Sequence, residues 1–333
     1  MDIRPIDLTS DAELQAAYDV MRRAELLGRE GSPHWSFQEM AGAYRHPDSG
    51  ERQDLLGGFV EGRLLGLANS YVGLLDNLDK AWVGVQVDPP ERRRGYGAEL
   101  LAAITERLVA DGRTLLVGET MLPFAERETH GYRKFCERHG YEFSNVEVVR
   151  WLTIPVADDA IQAWADLAAE RHAGYTLETY VNDVPAELIP SLCVLLGQLG
   201  VDAPTGAVDW EEEVITPERF IEGRASLVAA GRTMYETLAV TPDRTVAAQS
   251  TISVPPPGRT DVSQWGTFVH REHRGRRLGL ATKATNLRAV QQAHPEMKRV
   301  VTQNAETNDY MVSINVTMGF EPIEASTEMF RKL

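Results

Sequence analysis

Apolar residues in this chain fall into short runs broken by turn formers, and the runs recur in the same order in its two halves. In the first half, Leu55 to Val60 and Leu64 to Tyr71 flank the turn Glu61-Gly62-Arg63, which predicts a hairpin. In the second, Met234 to Val240 and Thr245 to Val254 flank Thr241-Pro242-Asp243-Arg244, where Pro and Asp suit a turn. A third strand, Ala81 to Val87 or Trp265 to Val269, follows each hairpin. The period then becomes helical: Leu100, Leu101, Ile104 and Leu108 share one face, as do Leu280, Ala284, Leu287 and Val290. Arg113 to Val117 and Lys298 to Thr302 predict a further strand, and each copy closes with a helix ending in a Gly-aromatic pair, Gly140-Tyr141 and Gly319-Phe320.

The order hairpin, strand, loop, helix, strand, helix, strand is therefore present twice, and a duplication of this kind sets the whole fold. Thr153-Ile154-Pro155 ends a strand. Ile161, Trp164, Leu167 and Ala168 then share a helix face, and Tyr175 to Val181 opens the second copy. This predicts domains at 1–155 and 156–333, with residues 156–173 as a connecting helix. The segment from Asp202 to Pro217, rich in loop formers and acids, has no counterpart in the first copy and reads as an insertion over one face.

Composition supports two folded domains. The chain has 333 residues, more than one hydrophobic core usually organises. Its hydrophobic fraction of 43% and charged fraction of 25% lie far from the signature of disorder. A net charge of −15 repels a polyanion and argues against nucleic acid as a partner. No apolar run is long enough to span a bilayer and the N-terminus does not read as a leader, so a cytoplasmic protein without membrane partners is expected. Cys136 and Cys193 fall in different halves, and the eight histidines show no ligand spacing, so no metal site is expected.

Candidate chemistry lies where each third strand opens into a helix. A tight turn there aims backbone N–H groups and the positive helix end at one point, which suits an anion. The first loop reads Val87-Asp-Pro-Pro-Glu-Arg92-Arg93-Arg94-Gly95-Tyr-Gly97, and the second Val269-His-Arg-Glu-His-Arg274-Gly275-Arg276-Arg277-Leu-Gly279. Arginines cluster in both, against the acidic whole, as a pyrophosphate with a further phosphate would require. Neither loop contains Gly-Lys-Ser/Thr, which excludes a nucleotide-triphosphate P-loop, and the preceding antiparallel hairpins argue against a dinucleotide-binding βαβ unit.

These loops resemble the Arg/Gln-x-x-Gly-x-Gly/Ala hallmark of the GNAT superfamily of acyltransferases, and the layout is similar to its two-domain members of the mycothiol-synthase type. The resemblance implies an α/β (α+β) chain of two tandem GNAT folds, each a mixed, mostly antiparallel sheet flanked by helices. It implies transfer of an acyl group, most simply acetyl from acetyl-CoA, to a small-molecule amine by direct attack in a ternary complex. The first copy matches as Arg92, Gly95 and Gly97. In the aligned second copy Arg277 replaces the middle glycine, although Arg276-x-x-Gly279-x-Ala281 fits two residues later. By resemblance, the coenzyme A set comprises Val87, Arg92, Arg93, Arg94, Gly95 and Gly97 in copy one, and Val269, Arg274, Gly275, Arg276, Arg277 and Gly279 in copy two. A backbone amide near Val269 would stabilise the thioester carbonyl oxygen.

Asn308 stands where GNAT enzymes place an asparagine on coenzyme A, whereas copy one has Thr129. Glu119 aligns with Asn304. The tyrosine with which many of these enzymes protonate the leaving thiolate is Cys136 in copy one and Asn315 in copy two. Copy two is therefore expected to work, with Asn304 and Asn315 in the catalytic set, Glu236 or Asp261 as the general base, and Glu119 as the candidate of copy one. His270 is expected to cap the loop. The competing class is a non-catalytic coenzyme-A-binding sensor or scaffold. Oligomeric state is not encoded in any of these features.

Overall fold

In the computed structural model, which describes residues 1–29, 32 and 34–333, the duplicated pattern becomes two congruent sets of elements. In chain order the first half comprises β1 (Asp2–Pro5), α1 (Asp11–Leu26), α2 (Phe37–Arg45), β2 (Glu51–Val60), β3 (Arg63–Gly73), β4 (Lys80–Val87), α3 (Tyr96–Ala110), β5 (Leu115–Pro123), α4 (Gly131–Arg138) and β6 (Glu142–Thr153). The second comprises α5 (Asp158–Ala169), β7 (Thr176–Val181), α6 (Ile189–Gly197), α7 (Leu199–Asp202), α8 (Pro217–Ala229), β8 (Thr233–Val240), β9 (Val246–Val254), β10 (Asp261–Val269), α9 (Leu278–Ala293), β11 (Arg299–Ala305), α10 (Asp309–Thr317) and β12 (Glu321–Lys332).

Two compact units result, and neither is a continuous segment. One consists of Met1–Val146, Gly206–Asp209 and Glu324–Leu333, the other of Glu147–Thr205 and Trp210–Ile323. The first unit has strand order β1-β2-β3-β4-β5-β12, the second β7-β8-β9-β10-β11-β6. Within each, all pairs are antiparallel except one, β4 with β5 and β10 with β11. The closing strands are thus exchanged. β12, the last strand of the chain, pairs with β5 from Glu324↔Pro123 to Lys332↔Leu115. β6 pairs with β11 from Glu147↔Ala305 to Thr153↔Arg299. The expected division at residue 156 misses this, because local patterning marks a strand without naming its partner.

The apolar stripes are buried as their period requires. In the first unit Leu100, Ile104 and Leu108 of α3 are fully buried against the sheet with Leu116 and Met329. In the second, Leu280, Leu287 and Val290 of α9 pack with Val262, Val300 and Ile252. Each such side chain stabilises its unit by roughly 1.5–3 kcal/mol relative to exposure. The opposite sheet faces are covered by α1 and α2 through Leu14, Ala17 and Met40, and by α6 through Leu192 and Leu195, with Leu188 just before it. Both Gly-aromatic pairs end a helix in the same way: Gly140 and Gly319 are left-handed at φ 81 and 82. The next N–H then turns back, Tyr141 to the Cys136 carbonyl at 3.0 Å and Phe320 to the Asn315 carbonyl at 2.9 Å. Among the described residues no helix is long and apolar enough to cross a membrane.

Candidate active site

In each unit the parallel strand pair comes apart. β4 and β5 pair only from Lys80↔Leu115 to Trp82↔Val117, yet they continue to Val87 and Pro123. β10 and β11 pair only from Asp261↔Arg299 to Ser263↔Val301, and continue to Val269 and Ala305. The facing edges beyond the split carry backbone N–H and C=O groups with no strand partner across the gap, which an extended amide-bearing ligand can satisfy. β10 has a register shift against β9 between Gln264 and Gly266, so the second unit needs one more residue to reach its loop.

The two loops superimpose in conformation residue by residue. Both begin with a 3-10 turn, Pro89–Glu91 and Arg271–His273. Both then contain two left-handed positions, Arg93 and Gly95 at φ 68 and 92 in the first, Gly275 and Arg277 at φ 78 and 55 in the second. Gly95 and Arg277 therefore occupy the same helix-cap position, so the register that places Arg277 at the middle glycine is the structural one. Neither cap contributes a side-chain hydrogen bond, which leaves the first-turn N–H groups of α3 and α9 to face outward. A Cβ at Gly95 would project into open space.

The arginines differ in what they are free to do. Arg92 is a brace: it donates to the carbonyls of Val87 and Ala24, each at 3.1 Å, and to the Tyr132 hydroxyl at 2.8 Å. Arg94 pairs with Glu91 at 2.8 Å, and Arg93 is exposed. In the second unit Arg274 braces the loop from the equivalent position through the Val269 carbonyl at 3.5 Å, but also binds Asp202 at 2.8 Å. Arg271 binds Asp202 at 3.1 Å and Glu212 at 3.0 Å, and Arg277 binds Glu170 and the Leu167 carbonyl, both at 2.5 Å. Arg276 lies over the Tyr175 ring. The acidic segment after Asp202 thus supplies counter-charges to its own loop, and a phosphate would have to displace them. Such exposed pairs are individually weak, but together they occupy guanidinium groups that an anion would otherwise use.

Candidate catalytic residues separate just as clearly. Leu116 and Val300 both point into the helix-side cores, so they are equivalent anchors. Counting from them, Glu119 corresponds to Gln303, and Asn304 to Thr120. The alignment of Glu119 with Asn304 is therefore off by one, and in a strand one residue reverses the face. Asn304 points toward α9 and α10 and is buried, accepting from Arg150 and from the Asn315 Nδ2, each at 2.9 Å. The Asn315 Oδ1 accepts in turn from the Nζ of Lys283, which sits 4.5 Å from the Phe320 ring centroid. Lys283 is 1% exposed. Burial, with Arg150 nearby, lowers its pKa to about 7. Asn304 and Asn315 are buried members of this cationic network. Asn308 caps α10, its Oδ1 accepting the Met311 N–H at 3.2 Å.

The general-base candidates of copy two are also engaged. Glu236 is 2% exposed, ion-paired with Arg224 at 2.6 Å and hydrogen-bonded by Thr251 at 2.7 Å. Burial raises its pKa. Asp261 pairs with Arg299 at 2.7 Å where β10 and β11 meet. His270 caps its turn by accepting the Glu272 N–H at 3.3 Å, as expected. Burial pushes the Cys136 thiol up to about 11, which keeps it protonated.

Glu119 stands apart. It lies on the separated part of β5, its side chain is exposed to water, and yet protein surrounds its carboxyl so closely that desolvation pushes its pKa up. The Ser326 hydroxyl donates to its Oε1 at 2.5 Å, and Glu328 lies directly opposite on β12. Desolvation first, and then the neighbouring Glu119 charge, raise Glu328. The counterparts in the second unit, Gln303 and Val149, are neutral. Ser326, Glu328, Lys283 and Arg150 were not identified from sequence. Lys283 could have been, since it interrupts the apolar stripe of α9, and the alternation Glu324, Ser326, Glu328 marks a polar strand face.

No protein-family model matches the sequence, and no curated protein matches it. Solved structures do. A tandem GNAT protein from the clavulanic acid biosynthesis pathway is 23% identical, covers 99% of this chain and 98% of its own, and has a TM-score of 0.77. A GCN5-related N-acetyltransferase from Sphaerobacter thermophilus is 15% identical over 99% of this chain and 95% of its own, with a TM-score of 0.65. A probable N-acyltransferase from Enterococcus faecalis V583 is 10% identical over 99% of this chain and 72% of its own, with a TM-score of 0.59. The fold is two GNAT folds in tandem.

Proposed function

We propose that the protein is an acyl-CoA-dependent N-acyltransferase in which the first unit performs the reaction, with acetyl-CoA as donor and a small-molecule amine as acceptor. The observation that carries this reading is the position of Glu119: a carboxyl of raised basicity on the separated part of a split parallel strand pair, in the same unit as a glycine-led helix start. Gly95, Arg93 and the first-turn amides of α3 suit the donor's phosphates, and the unpaired edges of β4 and β5 suit its amide-containing arm. The copy favoured from sequence, the second, is replaced here by the first, because the second loop is neutralised by Asp202, Glu212 and Glu170 and its asparagines are buried.

The chemistry asked of the chain is modest. An acceptor ammonium gives its proton to the Glu119 carboxylate, and the freed nitrogen lone pair attacks the thioester carbonyl carbon. The C–N bond forms and the C–S bond breaks; the second proton, shed by the attacking nitrogen as it becomes an amide, passes through water to the departing thiolate, whose thiol pKa is near 8.5. No covalent enzyme intermediate is required.

The test is release of thiol from acetyl-CoA across a panel of primary amines. Amine-dependent release that falls at least about a hundredfold in Glu119→Gln, with the fold intact, supports general-base catalysis. Full activity in that variant would refute the assignment to the first unit. Tight binding of coenzyme A without release for any amine would select the sensor or scaffold class instead.

A further inference from the structure

Two glutamates placed directly opposite each other on adjacent strands repel, and the repulsion is relieved by a proton held on one of them or by a cation between them. Glu119 and Glu328 are such a pair, on the face of the first sheet that also carries Ser326 and Glu324. Glu324 is already matched, by Arg29 at 2.7 Å and the Ser32 hydroxyl at 2.7 Å. Neither Glu119 nor Glu328 has a cationic partner among the described residues. Ser326 satisfies one oxygen of Glu119, and Ser144 hydrogen-bonds Glu328, but the Glu328 Oε1 is buried with no donor. Only one carboxylate is needed to take a proton from the amine. The second is left over, and it comes from the exchanged C-terminal strand.

We infer that Glu328 is a specificity-determining residue, which pairs with a second positively charged group of the acceptor while Glu119 acts on the reacting amine. The acceptor class is thus a dication, such as a diamine or a basic amine carrying a guanidinium. This deepens the proposed reaction and rests on it. The net charge of −15 favours the approach of such an acceptor. The second unit, with Gln303 and Val149 at these places, has no equivalent.

The experiment compares a primary monoamine with the α,ω-diamine of the same chain length, on the full chain, in thiol release and in calorimetry of the amine alone. The expected result is a kcat/KM at least about tenfold higher for the diamine, carried by KM, with the ratio falling toward one in Glu328→Gln and partly retained in Glu328→Asp. Calorimetry should show the diamine bound at least about tenfold more weakly by Glu328→Gln. Because Gln is isosteric and removes a repulsion, unchanged thermal unfolding is expected and verifies the fold. A wild type that does not distinguish the two amines, or a ratio unchanged in Glu328→Gln, overturns the inference while leaving acyl transfer standing. Diamine binding that depends on Glu328 without any thiol release overturns acyl transfer while the cation site stands.

Discussion

Replacing Lys283 by Met should abolish a rise in stability with pH that the wild-type protein shows just above neutrality. Lys283 is fully buried on α9, its ammonium held by the Asn315 Oδ1 and the Phe320 ring, with Arg150 nearby. Its pKa falls from 10.5 to about 7 on folding. Below pH 7 both states carry the charge, and the folded one bears the full cost of burying it. Between the two values the unfolded chain is protonated and the folded chain is not, so the unfolded state binds more protons and stability increases with pH. The slope approaches about 1.4 kcal/mol per pH unit, so the complete effect is about 5 kcal/mol and the part between about pH 7 and 8.5 is about 2 kcal/mol. The window closes there because Cys136 and Cys193, raised from 9.0 to about 11, act with the opposite sign at higher pH. Methionine fills a similar volume but leaves the Asn315 oxygen without its donor, which costs about 1–3 kcal/mol. Absolute stability at one pH is therefore a poor reporter, and the slope is the diagnostic quantity. Urea unfolding at about pH 7 and 8.5 measures it, and an equal rise in wild type and Lys283→Met would refute the assignment of a deprotonating, buried lysine.

Because desolvation raises Glu119, its catalytic form should be lost as pH falls through a value above the ordinary carboxylate range; the acidic limb of kcat/KM lying there, and absent from the residual activity of Glu119→Gln, would be the expected profile. Calorimetry with coenzyme A should find one site per chain, abolished by Gly95→Asp and little affected by Arg277→Asp at the equivalent cap of the second unit; the reverse ranking would move the donor site to that unit. Arg224→Met should cost about 3–5 kcal/mol in chemical denaturation, since it leaves Glu236 buried and unpaired, and Arg224→Met with Glu236→Leu should recover most of it.

The element order was legible in the sequence because it depends on local periodicity. Leu100 to Leu108 and Leu280 to Val290 show the helical period, and they are buried as the period requires. The helices over the opposite sheet faces were not read. α1 and α6 lie outside the strand, loop and helix core that the two arginine-glycine loops bring into alignment. The exchange of β6 and β12 could not be read either. Both are alternating strands that follow a Gly-aromatic helix end, and either satisfies the pattern of either place. Which edge each completes is a matter of tertiary pairing, on which a period of two is silent.

The candidate site was half legible for a related reason. The loops were found because their chemistry is local: an arginine brace, two left-handed positions and a helix start within a few residues. The roles within them depend on partners far along the chain. Arg274 differs from Arg92 because Asp202 reaches it, and no spacing rule connects those two residues. Asn304 looked catalytic through a one-residue alignment error that reverses its face, placing it with Lys283 and Arg150 rather than on the face equivalent to that of Glu119. Glu119 was identified but ranked below it, since its distinguishing neighbours, Ser326 and Glu328, are supplied by the last strand of the chain. A duplicated fold that exchanges its closing strands thus lets the second half of the sequence furnish the first unit's acidic wall. The chemistry proposed for that unit rests for this reason on residues some two hundred positions apart, such as Glu119 and Ser326.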